Sequence, residues 1–393
     1  MDPVRNPFAP GAGTPPPELV GRQTILDDAS LVLKRIKIGR SATSMMIVGL
    51  RGVGKTVLLN RIQQLAEEEG YLAAMVEAPE NKSLPALLAP ALRTLILQLD
   101  RGEKISHVVR KAFRALRGFA AVVKVKYADV EISLDGDTEP GLADSGDMES
   151  DIADLFVALG EAARDRKTSV ALIIDELQYL SEVEMSALIV AIHKVSQRQL
   201  PVTLIGAGLP QLVALTGKSK SYSERLFDFP QAGALTRAEA SQALQAPAKL
   251  EGASFTKQAI DEIYAKTEGY PYFLQEWGYQ AWIAATSEKI DSEAVNLATP
   301  KAVARLDRSF FRVRFDRLTP SERRYLRGMA QLGAGPHRSG DIATCLKVKP
   351  TSMGPVRASL ITKGMIYSPA HGDTAFTVPM FDQFMRRTMP KFP

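Results

Sequence analysis

The stretch "MMIVGLRGVGKTVLLNRI", residues 45–62, decides the fold. Residues 45–48 are apolar and run into a glycine-rich turn. The turn leaves as a helical pattern in which Leu58, Ile62 and Leu65 recur at steps of four and three. Strand, tight turn and helix in that order fit the phosphate-binding pattern G-x-x-x-x-G-K-[ST] at residues 49–56. The pattern needs glycine because backbone N–H groups must converge on phosphate oxygens, and side chains would block that approach. Gly49, Arg51, Gly52, Val53, Gly54, Lys55, Thr56 and Val57 are therefore expected to cradle ATP or ADP. Lys55 would reach the β- and γ-phosphates, and the Thr56 hydroxyl would bind Mg²⁺.

A second stretch, "SVALIIDELQYL" at residues 169–180, supplies the acids. Two adjacent carboxylates ending a buried strand are costly without a cation nearby. Asp175 is expected to hold Mg²⁺ through water, and Glu176 to polarise an attacking water. The plainer alternative for Glu176 is a cap on the next helix, and Gln178 is a weaker candidate for orienting water.

Around these motifs, residues 44–300 alternate short apolar runs with helical patterns. Runs at 44–48, 72–77, 170–174, 202–205 and 226–229 suit buried parallel strands. The pattern predicts a three-layer α/β domain with its sites at the carboxyl ends of the strands. An insertion is expected at about 105–150: a helix near 105–117, a hairpin in "FAAVVKVKYADVEISLD", and an acidic loop, "GDTEPGLADSGDMESD". The acidic insertion reads as a solvated loop, and its hairpin as a docking element for a partner or as a device that holds off nucleic acid electrostatically.

Capping boxes at Thr236/Glu239 and Thr319/Glu322 start two further helical modules. Thr351 reads as the cap of a later helix. Boundaries are expected at 1–17 (flexible leader), 18–232 (α/β nucleotide domain), 233–300 (helical lid) and 301–393. The last segment reads as a linker helix, three helices and a hairpin turning at His371–Gly372–Asp373, the outline of a winged helix-turn-helix. It holds 17 Lys and Arg against 6 Asp and Glu, a balance of +11, so the remainder of this +5 chain sums to −6. A basic end on a slightly acidic body points to a polyanion. Duplex DNA is the expected partner, with Lys347, Lys349, Ser352, Arg357, Lys363 and His371 as candidate contacts.

The single cysteine, Cys345, excludes an intramolecular disulfide and a cysteine metal cluster. No apolar run of membrane-spanning length occurs, so no membrane partner is expected. A cytoplasmic protein, with nucleoid association open, is the expectation.

The motifs together resemble an AAA+ ATPase of the ORC/Cdc6-like and archaeal-ATPase (STAND-related) group, over residues 18–390. "ELVGRQTIL" resembles that group's amino-terminal box, which implies that Val20, Gly21 and Arg22 line the adenine and ribose. "SYSERLFDFP" resembles the segment carrying an arginine finger, implying catalysis by Arg225 across a homo-oligomer interface. The alternative for Arg225 is a local ion pair with Glu224 or Asp228. "TEGYPYFLQEWG" resembles the start of the lid helix, where Tyr272 and Gln275 line the nucleotide or are lid core or surface residues. "AFTVPMFDQFMRR" resembles the end of the winged helix. Two departures stand out: Gly206, Ala207 and Gly208 replace a polar sensor, and Pro271 and Tyr272 replace a lid arginine. Slow turnover follows as an expectation. Two functional readings stay open, a DNA-associated ATPase and a STAND-type switch whose winged helix is autoinhibitory or binds an unknown protein partner.

Overall fold

A computed structural model describes residues 1–11, 16, 19–78, 80, 82–100, 106–122 and 142–392. The chain divides into two compact units. One comprises Thr24–Gly49 and Lys55–Gln231; the other comprises Met1–Gln23, Leu50–Gly54 and Ala232–Pro393.

The first unit is built on a parallel sheet of β1 (Ser44–Val48), β2 (Tyr71–Glu77), β3 (Ser169–Asp175), β4 (Val202–Gly208) and β5 (Phe227–Asp228). Their order is β2-β3-β4-β1-β5. Every residue of β1, β3 and β4 is buried. Neighbouring residues of a strand point to opposite faces, so both faces of this sheet are covered, as the three-layer expectation requires. β1 and β3 flank β4 on either side, in register Met45↔Ile205 and Ile173↔Ile205. The loop after β1 and the acids ending β3 thereby emerge at the same, carboxyl edge of the sheet.

Helices Met148–Asp165 and Glu182–Gln197 fill one layer, with Leu155, Phe156, Leu188 and Ile189 wholly buried. Each such side chain contributes about 1.5–3 kcal/mol by leaving water. Helix Glu182–Gln197 opens with a capping box between Ser181 and Glu184.

The insertion differs from expectation at both ends. The helix runs His107–Val122, so Phe119, placed in the hairpin by pattern, is a buried helical residue. The rest of the expected hairpin lies outside the described residues. The end of the acidic segment is the capped start of helix Met148–Asp165 rather than loop. Asp147 accepts from Ser150 N–H at 2.8 Å, and buried Asp151 accepts from the Ser145 and Gly146 N–H groups at 2.9 and 3.0 Å. Acids there complement orphan N–H groups and the positive end of the helix dipole.

The second unit is largely helical. Helices Arg237–Leu250, Lys257–Thr267, Pro271–Ala284 and Ser292–Arg305 occupy the segment expected to be a lid, and the Thr236/Glu239 capping box is present. A π-helical stretch, Leu306–Phe311, and helix Arg312–Asp316 lead to the winged helix. That module holds helices Pro320–Leu332, Ser339–Cys345 and Gly354–Thr362. Its three-stranded antiparallel sheet orders His337–Arg338, Asp373–Phe376 and Ile366–Tyr367, and helix Phe381–Thr388 follows. The Thr319/Glu322 capping box is present too. Thr351, read as a cap, instead sits inside a 3₁₀ turn, Pro350–Met353, ahead of its helix.

The leader is not free over its described residues 1–11. The Met1 ammonium donates to Ala285 O at 2.7 Å, and Trp282 Nε1 donates to Asp2 O at 2.8 Å. Phe8 is 1% exposed, edge-on to Phe255 and so close to Gly278 that a Cβ there would come within 2.7 Å of its ring. Proline and glycine content suggested flexibility; one aromatic anchor outweighs it.

Candidate functional site

In the first unit, the carboxyl edge of the sheet brings Lys55, Thr56, Asp175 and Glu176 together. Lys55 is buried and its Nζ donates to Gly49 O at 3.0 Å. The Thr56 hydroxyl donates to Asp175 Oδ2 at 2.6 Å. Asp175 is 3% exposed, and its other oxygen accepts from Glu176 N–H at 2.8 Å. Burial pushes the Asp175 carboxyl above its ordinary value; the Thr56 hydrogen bond opposes that, and the neighbouring Glu176 charge adds to it. A carboxylate so placed is stabilised by a cation.

Glu176 has φ 56° and ψ 36°, the left-handed region, which costs a non-glycine residue about 1–3 kcal/mol. It is no helix cap by side chain. Gln178 holds it: Nε2 donates to Glu176 Oε2, while Oε1 accepts from Leu209 N–H at 2.9 Å. Gln178 therefore positions the acid, with both ends of its amide engaged, instead of offering itself to water. The glycines found where a polar sensor was expected follow from the same packing. A Cβ on Gly206 would lie 2.2 Å from Leu177 Cδ1, and one on Gly208 would lie 2.9 Å from Gln178 Oε1.

Arg225 stands elsewhere. It is exposed and lines a recess of about 210 Å³ with Arg40, Ser44, Ser196 and Val202, at the amino ends of β1 and β4. That is the opposite edge from Lys55 and Asp175. Among the described residues, no ion pair joins it to Glu224 or Asp228, so the local-pair alternative fails.

In the second unit, Leu50–Gly54 meets lid and winged-helix residues. Three successive carbonyls of this segment are occupied. Arg51 O accepts from the Tyr270 hydroxyl, Gly52 O from Tyr272 N–H at 3.3 Å, and Val53 O from Arg22 NH2 at 3.2 Å. Gly52 has φ +84°, and a Cβ there would come 3.1 Å from Tyr270 Cε1 and 3.3 Å from Tyr272 Cβ, so only glycine fits. Arg51 N–H donates to Thr377 O at 3.3 Å, and Arg51 Nε to Gly364 O at 3.4 Å.

These contacts correct the reading of Arg22 and give the surroundings of Gly21, Tyr272 and Gln275. The Arg22 guanidinium, 6% exposed, is spent on the carbonyls of Val53, Gly233 and Gly21, so its donors do not line a base or ribose. Gly21, at φ +70°, lies against Glu239, and Val20 leads into that turn. The Tyr272 ring stacks on Phe310 with centroids 4.7 Å apart, a lid-core contact. Gln275 accepts from Ala9 N–H at 3.4 Å.

On the winged helix, Lys347, Lys349, Ser352 and His371 are exposed. Arg357 and Lys363 are not available in the way expected. Arg357 ties its helix to the wing, donating to Thr374 Oγ1, Ser368 Oγ and Asp373 O, each at 3.0 Å. Lys363 pairs at 2.8 Å with Glu322, which is 3% exposed.

Residues 18–205 match the family described as AAA ATPase domain, and residues 308–385 match a domain of unknown function. An uncharacterised HTH-type transcriptional regulator of Methanocaldococcus jannaschii is 23% identical over 376 residues, covering 91% of this chain and 85% of that protein. The Walker-type ATPase of Pyrococcus abyssi shares the fold at a TM-score of 0.54 and 14% identity, over 94% of this chain and 96% of that one. The Aeropyrum pernix Orc1 protein in complex with DNA aligns over 95% of this chain and 94% of that one, at 15% identity and a TM-score of 0.46. No helix among the described residues is long and apolar enough to cross a membrane. Residues 18–205 thus carry the match to the AAA ATPase domain, and they hold the phosphate-binding loop and the acids that end β3.

Proposed function

We propose that this protein hydrolyses ATP slowly, contacts duplex DNA through its winged helix, and uses its ATP state to control assembly or recruitment of a partner. The observation that carries the ATPase reading is the Thr56–Asp175 hydrogen bond beside Glu176, whose backbone is left-handed and whose carboxylate accepts from Gln178. The donor set fits Mg²⁺: one hydroxyl and one buried carboxylate, both hard oxygens. Among the described residues, no group of three or more His, Cys, Asp or Glu side chains forms a protein cage for a metal. That suits an ion that takes its remaining ligands from phosphates and water. Thr56 and Asp175 would hold it, and Mg²⁺ would neutralise charge developing on the phosphates. Lys55 would bind the phosphate chain, and Glu176 would take the proton of the attacking water. Arg225, at the far edge of its own sheet, would serve only the nucleotide of another copy.

DNA contact is supported by the +11 balance of the last 93 residues, by exposed Lys347, Lys349 and His371, and by the description of the methanogen relative as an HTH-type regulator. With Arg357 internal and the Ser352 hydroxyl donating to Lys349 O at 2.7 Å, few donors remain for a base edge, so phosphate contacts dominate and sequence preference is weak. The test is the ATPase rate with and without duplex DNA across protein concentration. Stimulation that disappears on replacing Lys347 and Lys349 supports the reading; a rate indifferent to DNA at every concentration sinks it.

A second reading is favoured by one observation. Arg51 reaches Thr377 O and Gly364 O, so winged-helix residues hold the tip of the phosphate loop. A winged helix serving as an internal brake would do this. Removing residues 318–393 would then raise the ATPase rate rather than abolish DNA stimulation.

A further inference from the structure

A loop that binds anions through its backbone must keep its N–H groups inward and its carbonyls outward, because one peptide turned over replaces a donor with a repelling oxygen. Here the outward carbonyls are held from outside the loop. Arg51, Gly52 and Val53 accept, in order, from the Tyr270 hydroxyl, the Tyr272 N–H and the Arg22 guanidinium. None of these donors is adjacent to the loop in sequence. Each is fixed in turn. Tyr270 precedes Pro271, which keeps its backbone extended (φ −70°, ψ 117°), and its ring packs on Phe273 with centroids 5.0 Å apart. Burial pushes the Tyr270 hydroxyl far above its ordinary value, so it stays protonated and remains a donor. Arg22 is cross-braced by Gly233 O and Gly21 O.

We propose that Tyr270 and Arg22 are positioning residues for the phosphates of ATP: by pinning the carbonyls of Arg51 and Val53 outward, they keep the N–H groups of Gly52 and Gly54, on the same two peptides, turned toward the anion. This rests on the reading of residues 49–56 as the phosphate site. Neither residue touches nucleotide. Their effect belongs to the phosphate chain and not to the base, and it is independent of DNA.

The experiment measures binding of MgATP to the full chain by calorimetry, and of pyrophosphate as its competitor, alongside thermal melting. Tyr270→Phe removes one hydroxyl and leaves the ring. It is expected to weaken MgATP and pyrophosphate by the same factor, roughly 3- to 10-fold, with the melting temperature little changed. Arg22→Met, which loses charge-assisted donors, is expected to weaken both by roughly 10- to 100-fold. Arg22→Lys keeps the charge but not the fork and should fall between wild type and Arg22→Met. Tyr272→Phe should bind as wild type does, because its contribution is a backbone N–H. Wild-type affinity in Tyr270→Phe overturns the proposal. So does a loss for MgATP without a loss for pyrophosphate, which would assign Tyr270 to base or ribose. If Tyr270→Phe melts early, Arg22→Lys decides in its place. A wild-type chain that binds neither ligand would instead bring down the phosphate-site reading itself.

Discussion

At the carboxyl end of β3, Asp175 is 3% exposed, one oxygen takes a hydroxyl and the other a backbone N–H, and burial still pushes its carboxyl up. On the helix Gly354–Thr362 and just beyond it, Arg357 and Lys363 have every donor argument in their favour as nucleic-acid contacts. Yet the fold uses them: Arg357 on three oxygens of the wing, Lys363 on Glu322. The first region holds charge that its surroundings leave under-stabilised, the mark of a place built for a ligand. The second holds charge that its surroundings satisfy, the mark of a structural clasp. Charge in a sequence is therefore no guide to ligand contact until its partners are known.

The sharpest way to break this comparison is Glu176→Gln. It should lower the ATP turnover rate by roughly 10²- to 10⁴-fold while MgATP affinity, read by calorimetry, is retained. Unchanged turnover would make the β3 acids structural too, and the contrast would vanish.

Next comes Glu322, the acid inside the clasp. Burial pushes its carboxyl up, but hydrogen bonds from Lys363, Thr319 N–H and Ser359 outweigh that and hold it at about 2, below its ordinary 4.5. A folded-state value below the unfolded one gives stability that is full above the unfolded value and is lost as pH falls through the folded one. The winged helix should therefore weaken between about pH 5 and pH 2. Glu322→Gln should lower stability at neutral pH by on the order of 3 kcal/mol and flatten that acid limb. Denaturant melts across pH check both; an acid limb that survives Glu322→Gln would assign it to other groups.

Arg357→Ala should follow, costing about 1–3 kcal/mol by removing the guanidinium from the buried Thr374 hydroxyl; the Asp373 carbonyl keeps its bond from Ser368 Oγ. The same urea midpoints would report it. A variant as stable as wild type but weakened for DNA would return Arg357 to the groove and undo the distinction drawn here.

The smallest stability effect belongs to Lys347→Ala with Lys349→Ala. Both side chains are exposed, so folding should change by less than about 0.5 kcal/mol. The slope of log affinity for duplex DNA against log salt should fall by about 2. An unaltered slope would leave the winged helix without its expected polyanion and favour the internal-brake reading.

Much of this was legible in residues 45–62 and 169–180 because the information there is local. A buried parallel strand reads as a β-branched apolar run, a phosphate loop as spaced glycines before lysine and threonine, and a capping box as threonine with glutamate three residues on. The two capping boxes read from the sequence, at Thr236 and Thr319, depend on neighbours within one turn. Phe8 was misread because its partners, Phe255 and Gly278, lie about 250 residues away, while its flanking prolines and glycines spoke only of local freedom. The acidic stretch was misread in part because Asp147 and Asp151 are charge in a string but caps in a helix.

By itself, then, the sequence determined that this chain holds a nucleotide loop, its acidic partner strand, a parallel sheet and a basic carboxyl-terminal module. Those features are set by spacings of a few residues and by the period of strands and helices. Only the tertiary structure decided which polar groups remain for a ligand. It committed Arg22 and Tyr270 to carbonyls of the loop, Gln178 to Glu176, and Arg357 and Lys363 to the winged helix. The physical reason is that a hydrogen-bond donor is satisfied by whatever acceptor folding places within about 3 Å, and that acceptor is set by long-range packing.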